Sequence, residues 1–226
     1  IIHLLTAVTP AGSLYEVDMR LRPSGNAGLL VTSLDAFAEY QHQNAWTWEH
    51  QALVRARVVA GSEALADKFD ELRGSILRRE RDPQALRDDV VSMRHKMRDH
   101  LGTKGEGAKS ERGDGENAST DATFSLKHDA GGMVDIEFLC QYAVLALSHQ
   151  TPALITYSDN IRILETLAES GHITQVEAEQ LREAYLAYRS RTHRAALTGE
   201  KALGQVKEFA EHRQIVTALW QRFLEP

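Results

Sequence analysis

Charged side chains at alternate positions mark the first stretch of this chain that could do chemistry. In YEVDMRLRP, Tyr15 to Pro23, the charged residues Glu16, Asp18, Arg20 and Arg22 share one face of an extended strand. Tyr15, Val17, Met19 and Leu21 make the opposite face apolar. A carboxylate gives hard oxygen to a divalent cation, and planar guanidinium groups donate to phosphate oxygens. On a rigid strand that set suits phosphoryl or nucleotidyl transfer. The same run also reads as a solvated strand face carrying weak Glu16–Arg20 pairs, and spacing alone leaves both readings open.

KHDAGGMVDIEF is a second candidate. A short strand, two glycines and a helix start resemble a phosphate-binding turn, because the first helical N–H groups point outward unpaired. Asp135 and Glu137 stand near that helix start. Two residues apart, they point to different sides, and the bland alternative is that both complement the helix dipole. In a third stretch, AWTWEHQALVRAR, Trp46, Trp48, Leu53 and Val54 are predicted to pack as core. Glu49, Arg55 and Arg57 are either satisfied surface ions or a layer holding the strand arginines. There is no H-E-x-x-H or Cys/His ligand set, no G-x-S-x-G, no Walker loop and no G-x-G-x-x-G.

The elements that must position these residues follow from punctuation and periodicity. IIHLLTAV has apolar residues at helical spacing and no basic leader, as though a helix were cut mid-course, so the chain reads as a fragment with something missing upstream. Pro10, Gly12 and Ser13 turn into a strand over 15–23. Ser33 caps a helix beginning LDAFAEYQHQ, and AWTWEHQALVRARVV continues helical to about Arg57. Ser62 opens a helix to about Arg79, and Asp82-Pro83 starts another that runs to Gly102. FSLKHD is a short strand and MVDIEFLCQYAVLALSH an apolar helix. Helices follow over 159–170, over 174–197 from a Thr174/Glu177 capping box, and over about 206–224. TKGEGAKSERGDGENAST carries no large apolar residue, so 102–121 is expected to be a mobile polar loop.

The fold expected is α+β and predominantly helical. A small α/β part, 1–61, precedes a helical bundle, 62–226. The 226 residues are 42% hydrophobic and 26% charged, as in soluble globular proteins. A net charge of −6 argues against nucleic acid or an anionic membrane as partner. No apolar run approaches the ~20 residues that span a bilayer. The single Cys140 allows no internal disulfide and favours a reducing, cytoplasmic compartment.

Taken together and in order, LYEVDMRLRPSGNAGLLVTS, AWTWEHQALVRARVVAG, FSLKHDAGGMVDIEFLCQY and SDNIRILETLAESG resemble the glutamine synthetase adenylyltransferase family over nearly the whole chain. The resemblance implies a polymerase-β-like nucleotidyltransferase domain, of which 1–61 is the C-terminal remnant, followed by a helical bundle. It implies ATP as substrate, Mg²⁺ as cofactor, and glutamine synthetase and the PII signal protein as partners. Asp18 matches the third catalytic, metal-holding carboxylate, and Arg20 and Arg22 would sit by the triphosphate. Gly131, Gly132, Asp135 and Glu137 match a family motif expected to close over the nucleotide. The AWTWEHQALVRAR wording looks like the C-terminal, adenylylating half. The family's Gly-Ser loop and first two carboxylates would precede Ile1, so the chain alone is expected to be inactive. Three alternatives stand beside this: phosphorolytic removal of AMP, the related uridylyltransferase acting on PII, and a bundle that only docks PII or glutamine synthetase.

Overall fold

Short elements open the chain and long helices carry the rest. The computed structural model describes residues 2–10, 12–13, 17–19, 21–103 and 122–225. Helix α1 (Ile2–Thr6) leads into β1 (Val8–Thr9), which pairs antiparallel with β2 (Gly12–Ser13). The strand expected over 15–23 is not there in the described residues. Val17–Met19 are irregular, and Leu21–Ser24 bend into a single 3₁₀ turn, Gly25–Ala27. Tyr15, Glu16 and Arg20 lie outside the described residues.

The physical reason is pairing. A strand holds only where a neighbour takes up its backbone N–H and C=O groups. Among the described residues the strands nearby in sequence, β1 and β2, are bonded to each other. Arg22 ties the bend instead, donating from Nη1 to the Met19 carbonyl at 2.5 Å and from Nε to the Gly28 carbonyl at 3.3 Å.

Caps set where the helices begin. Ser33 Oγ accepts from the Ala36 N–H at 3.2 Å ahead of α2 (Leu34–Gln43). Helix α3 (Thr47–Val54) ends three residues short of the expected Arg57. Trp46, expected in the core, is 69% exposed, because it stands at the N-cap ahead of the first helical turn. Helix α4 (Glu63–Leu77) follows. In α5 (Pro83–Leu101), Asp82 Oδ1 accepts from the Ala85 N–H at 2.7 Å and Pro83 fills the first position.

The polar insert 104–121, expected to be a mobile loop, lies outside the described residues. Beyond it come β3 (Thr123–Ser125), α6 (Met133–Leu147), α7 (Asn160–Glu169) and α8 (Gln175–Thr198). The Thr174/Glu177 capping box opens α8 as expected. A strand that sequence reasoning missed, β4 (Leu203–Gln205), pairs antiparallel with β3, and α9 (Ala210–Leu224) closes the chain. Phe124 faces Gly204 in that pair. A Cβ at Gly204 would come within 2.6 Å of Leu126 Cδ2 and 2.8 Å of the Phe209 ring, so only glycine lets the strands and ring close together.

The architecture is therefore predominantly helical, with two small antiparallel pairs among the described residues. Helix α6 is the axis. It is apolar almost all round and packs against α3, α5, α7, α8 and α9, as a helix must when every face is buried. Leu53 and Val54 of α3 join the same core as Ile76, Leu77 and Val90, so packing is continuous across residue 61. Among the described residues no helix is long and apolar enough to cross a membrane.

Candidate functional site

The second motif folds into a closed knot at the start of α6. The Met133 N–H donates to the Leu126 carbonyl at 2.9 Å, the Val134 N–H to Lys127 at 3.1 Å, and the Gly132 N–H to Asp129 at 3.0 Å. The Gly131 N–H donates to Asp135 Oδ2 at 2.7 Å. The expectation of unpaired donors aimed at a phosphate is thus corrected: the loop between β3 and α6 folds back and takes them itself.

The two glycines serve that closure. Gly131 has φ +75°, and a Cβ there would lie 2.9 Å from the Arg213 carbonyl of α9. A Cβ at Gly132 would meet the Asp129 and Leu126 carbonyls at 2.9 Å. Tyr188 donates its hydroxyl to the Gly131 carbonyl at 2.9 Å, and Arg213 donates to Ala130 at 3.1 Å while stacking over the Phe124 ring.

Asp135 and Glu137 have separate fates, as their spacing requires. Asp135 is 2% exposed, and its Oδ1 accepts from Arg94 Nε at 2.5 Å. Arg94 is fully buried and donates onward to the His128 carbonyl at 2.8 Å. Asp135 is therefore built into the turn and does not reach solvent. Glu137 is half-buried, one helical side away, and the Tyr185 hydroxyl stands 3.5 Å from its Oε1. Burial pushes its carboxyl above the ordinary range, opposed by the positive charges of Arg55, Lys127 and Arg189.

Arg55 is placed by two contacts. Arg73, itself buried, donates to the carbonyls of Leu53 at 3.0 Å and Val54 at 2.7 Å, fastening the end of α3 where Arg55 stands. Arg55 Nη1 then donates to Asn160 Oδ1 at 2.9 Å, at the start of α7. Arg55 also lines a cleft of about 400 Å³ with Arg22, Leu21, Gln41 and Glu49. Glu49 is held there by the Tyr40 hydroxyl at 2.9 Å and the Trp46 N–H at 2.9 Å.

The residues singled out from sequence therefore divide. The cleft brings Arg22 of the first motif to Glu49 and Arg55 of the third, and the positive charge of Arg55 acts on Glu137 in the second. Asp18 is exposed, has an interaction partner of its own, and is not among the cleft's lining residues. Arg20 lies outside the described residues. Sequence reasoning missed Lys127 and Arg189. The signal for Lys127 was its place inside the second motif; Arg189 had none, because it arrives from a helix distant in sequence.

Two family models and several known proteins match the chain. Residues 1–72 match the family model described as Glutamate-ammonia ligase adenylyltransferase, and residues 91–220 match the one described as GlnD PII-uridylyltransferase. A Pseudomonas aeruginosa protein named Bifunctional glutamine synthetase adenylyltransferase/adenylyl-removing enzyme is 55% identical over 98% of this chain. The chain belongs to the glutamine synthetase adenylyltransferase family. Its larger, helical part also belongs to the family that the second model describes. Proteins of the same bifunctional name from Hahella chejuensis and Acinetobacter baylyi are each 48% identical, over 98% and 100% of the chain. The chain spans 22% of the Pseudomonas aeruginosa protein's length and 23% of the Acinetobacter baylyi protein's.

Proposed function

We propose that this chain is part of a cytoplasmic enzyme that transfers AMP from ATP to a tyrosine of glutamine synthetase, with pyrophosphate leaving. The observation that carries the reading is the cleft in which Arg22 of the first motif stands with Glu49 and Arg55 of the third, while the charge of Arg55 also acts on Glu137 of the second. The names of the relatives supply the substrate class. In this reading the tyrosine hydroxyl attacks the α-phosphorus in line, and guanidinium groups take up the charge that spreads over the phosphate oxygens.

Residues 1–61 are proposed as the C-terminal remnant of a polymerase-β-like nucleotidyltransferase domain, and 62–226 as the helical domain. The buried end of α3, held by Arg73, joins the two. Arg20 and Arg22 serve the triphosphate. Gly131, Gly132 and Asp135 act on the nucleotide side by shaping the turn, and Glu137 is the motif carboxylate open to that side. The residues fit a magnesium ion only in part. Asp18 offers one hard oxygen, and no group of three His, Cys, Asp or Glu among the described residues could hold a metal. A Mg²⁺ on Asp18 would therefore draw its other oxygens from phosphates, water and residues outside that set.

The adenylylating direction is proposed from the AWTWEHQALVRAR wording. The test is transfer of labelled AMP to glutamine synthetase by the longer protein carrying this chain. Asp18→Asn and Arg55→Gln should each abolish labelling while leaving the fold intact. Phosphate-dependent release of AMP from adenylylated glutamine synthetase, without labelling, would assign the opposite direction. A second role is favoured by the match of 91–220 to the PII-uridylyltransferase model: docking of the PII signal protein on the bundle. Loss of PII capture when 91–220 is deleted from the longer protein is the expected result.

A further inference from the structure

The first part of the chain exposes apolar surface out of proportion to its length. Of the fifteen large hydrophobic side chains left exposed among the described residues, ten lie between Leu4 and Leu65. Val59 and Leu65 line a second cleft of about 400 Å³, and Leu29, Leu30 and Val31 run up to its rim at Thr32. All five are more than half exposed. The wall that this cleft shares with the first is the Phe37–Phe69 pair, whose ring centroids are 6.1 Å apart. Among the described residues of its lining, Arg57 is the one that carries charge.

The backbone along this face is as open as its side chains. Residues 29–32 and 57–61 belong to no helix or strand, and none of their N–H or C=O groups is hydrogen-bonded among the described residues. Over 56–59 the chain has neither turn nor bend. Val58 and Val59 are of the β-branched kind that suits a pleated surface, yet no described strand lies beside them. An unpaired apolar run of backbone is an edge that another segment can complete, and natural proteins cover such edges.

We infer that this face seats an extended apolar segment from elsewhere in the same, longer polypeptide, which adds as a strand along 57–59 and covers the five aliphatic side chains. Relatives of which the chain spans 22% and 23% carry more than three quarters of their length outside it. Size favours this occupant over a free partner. A stable complex between separate proteins uses about 20–30 residues a side, more than the thirteen that line this cleft. A tethered segment needs less area, because linkage raises its effective concentration to the millimolar range. With Arg57 the one charge in the lining, the complement is an apolar segment. The inference goes beyond the adenylyl-transfer reading, because it holds whichever reaction the longer protein performs.

The experiment is hydrogen exchange, read by mass spectrometry, on the longer protein carrying this chain. Amides of 29–32 and 57–61 should exchange at least about a hundredfold more slowly than in an unfolded peptide. Val59→Asp, at a side chain 80% exposed in this chain, should speed exchange there by about tenfold or more and leave α6 protected. Exchange at the unfolded-peptide rate in the wild-type protein overturns the inference. It does so even where added glutamine synthetase or PII restores protection, which assigns the face to a separate partner. Protection that falls on dilution assigns the face to a second copy and overturns it too. So does protection that Val59→Asp leaves unchanged.

Discussion

Replacing Asp135 with asparagine tests how the glycine turn is held. The side chains of Arg94 and Asp135 are 0% and 3% exposed, and their contact is 2.5 Å. Removing one partner of such a pair leaves a buried charge uncompensated, which costs about 3–5 kcal/mol. Two features pull the value to the low end. Arg94 keeps its bond to the His128 carbonyl, and an asparagine oxygen can still accept from the Gly131 N–H. The expected loss is therefore about 3 kcal/mol, which in a chain of this length lowers Tm by roughly 6–12 °C.

Thermal and urea unfolding of Asp135→Asn, Arg94→Met and the double variant measure it. The double variant should be less damaged than the sum of the singles by at least about 1 kcal/mol, because it leaves no lone charge. A Tm change under about 2 °C for Asp135→Asn, or strict additivity, would refute the reasoning.

Further expectations follow from single contacts. Gly131→Ala places a Cβ 2.9 Å from the Arg213 carbonyl at φ +75°, so stability should fall by about 1–3 kcal/mol in urea unfolding. Wild-type stability there would show that α9 moves aside freely. Burial, with the charges of Arg81 and Arg79 adding to it, lowers the His50 pKa below its ordinary 6.5 despite the bond to the Gln41 carbonyl. The folded chain then holds the His50 proton more weakly than the unfolded one. Its share of stability is full above pH 6.5 and is lost as pH falls below it, so His50→Gln should flatten the acid-side fall in Tm. An unchanged slope would show that His50 protonates without penalty. Cys140 is fully buried, and burial pushes its thiol far up, so a thiol reagent should react only at the rate of unfolding. Immediate labelling of the native chain would contradict that burial.

Local signals made the helices legible and long-range pairing escaped. Ser33, Asp82 and Thr174 announce α2, α5 and α8 because a cap is a contact within four residues. The apolar run 133–147 announces the central helix for the same reason. Strands are different, since their bonds go to partners the sequence does not name. YEVDMRLRP alternates perfectly, yet its described residues are not in a strand. LGQ at 203–205 has no alternation and pairs with β3, 78 residues or more upstream. The site was legible in its motifs and not in its geometry. Asp135 and Glu137 were marked together, and only the fold shows one closing the turn on Arg94 and the other half-buried beside the Tyr185 hydroxyl.

The most direct test of the central claim is a crystal structure of the longer protein carrying this chain with an ATP analogue whose α–β bridge cannot be cleaved. Phosphate oxygens within hydrogen-bond distance of both Arg22 and Arg55 are the expected result. An analogue bound with neither arginine in contact would contradict the claim that the first and third motifs meet in one cleft to hold phosphate.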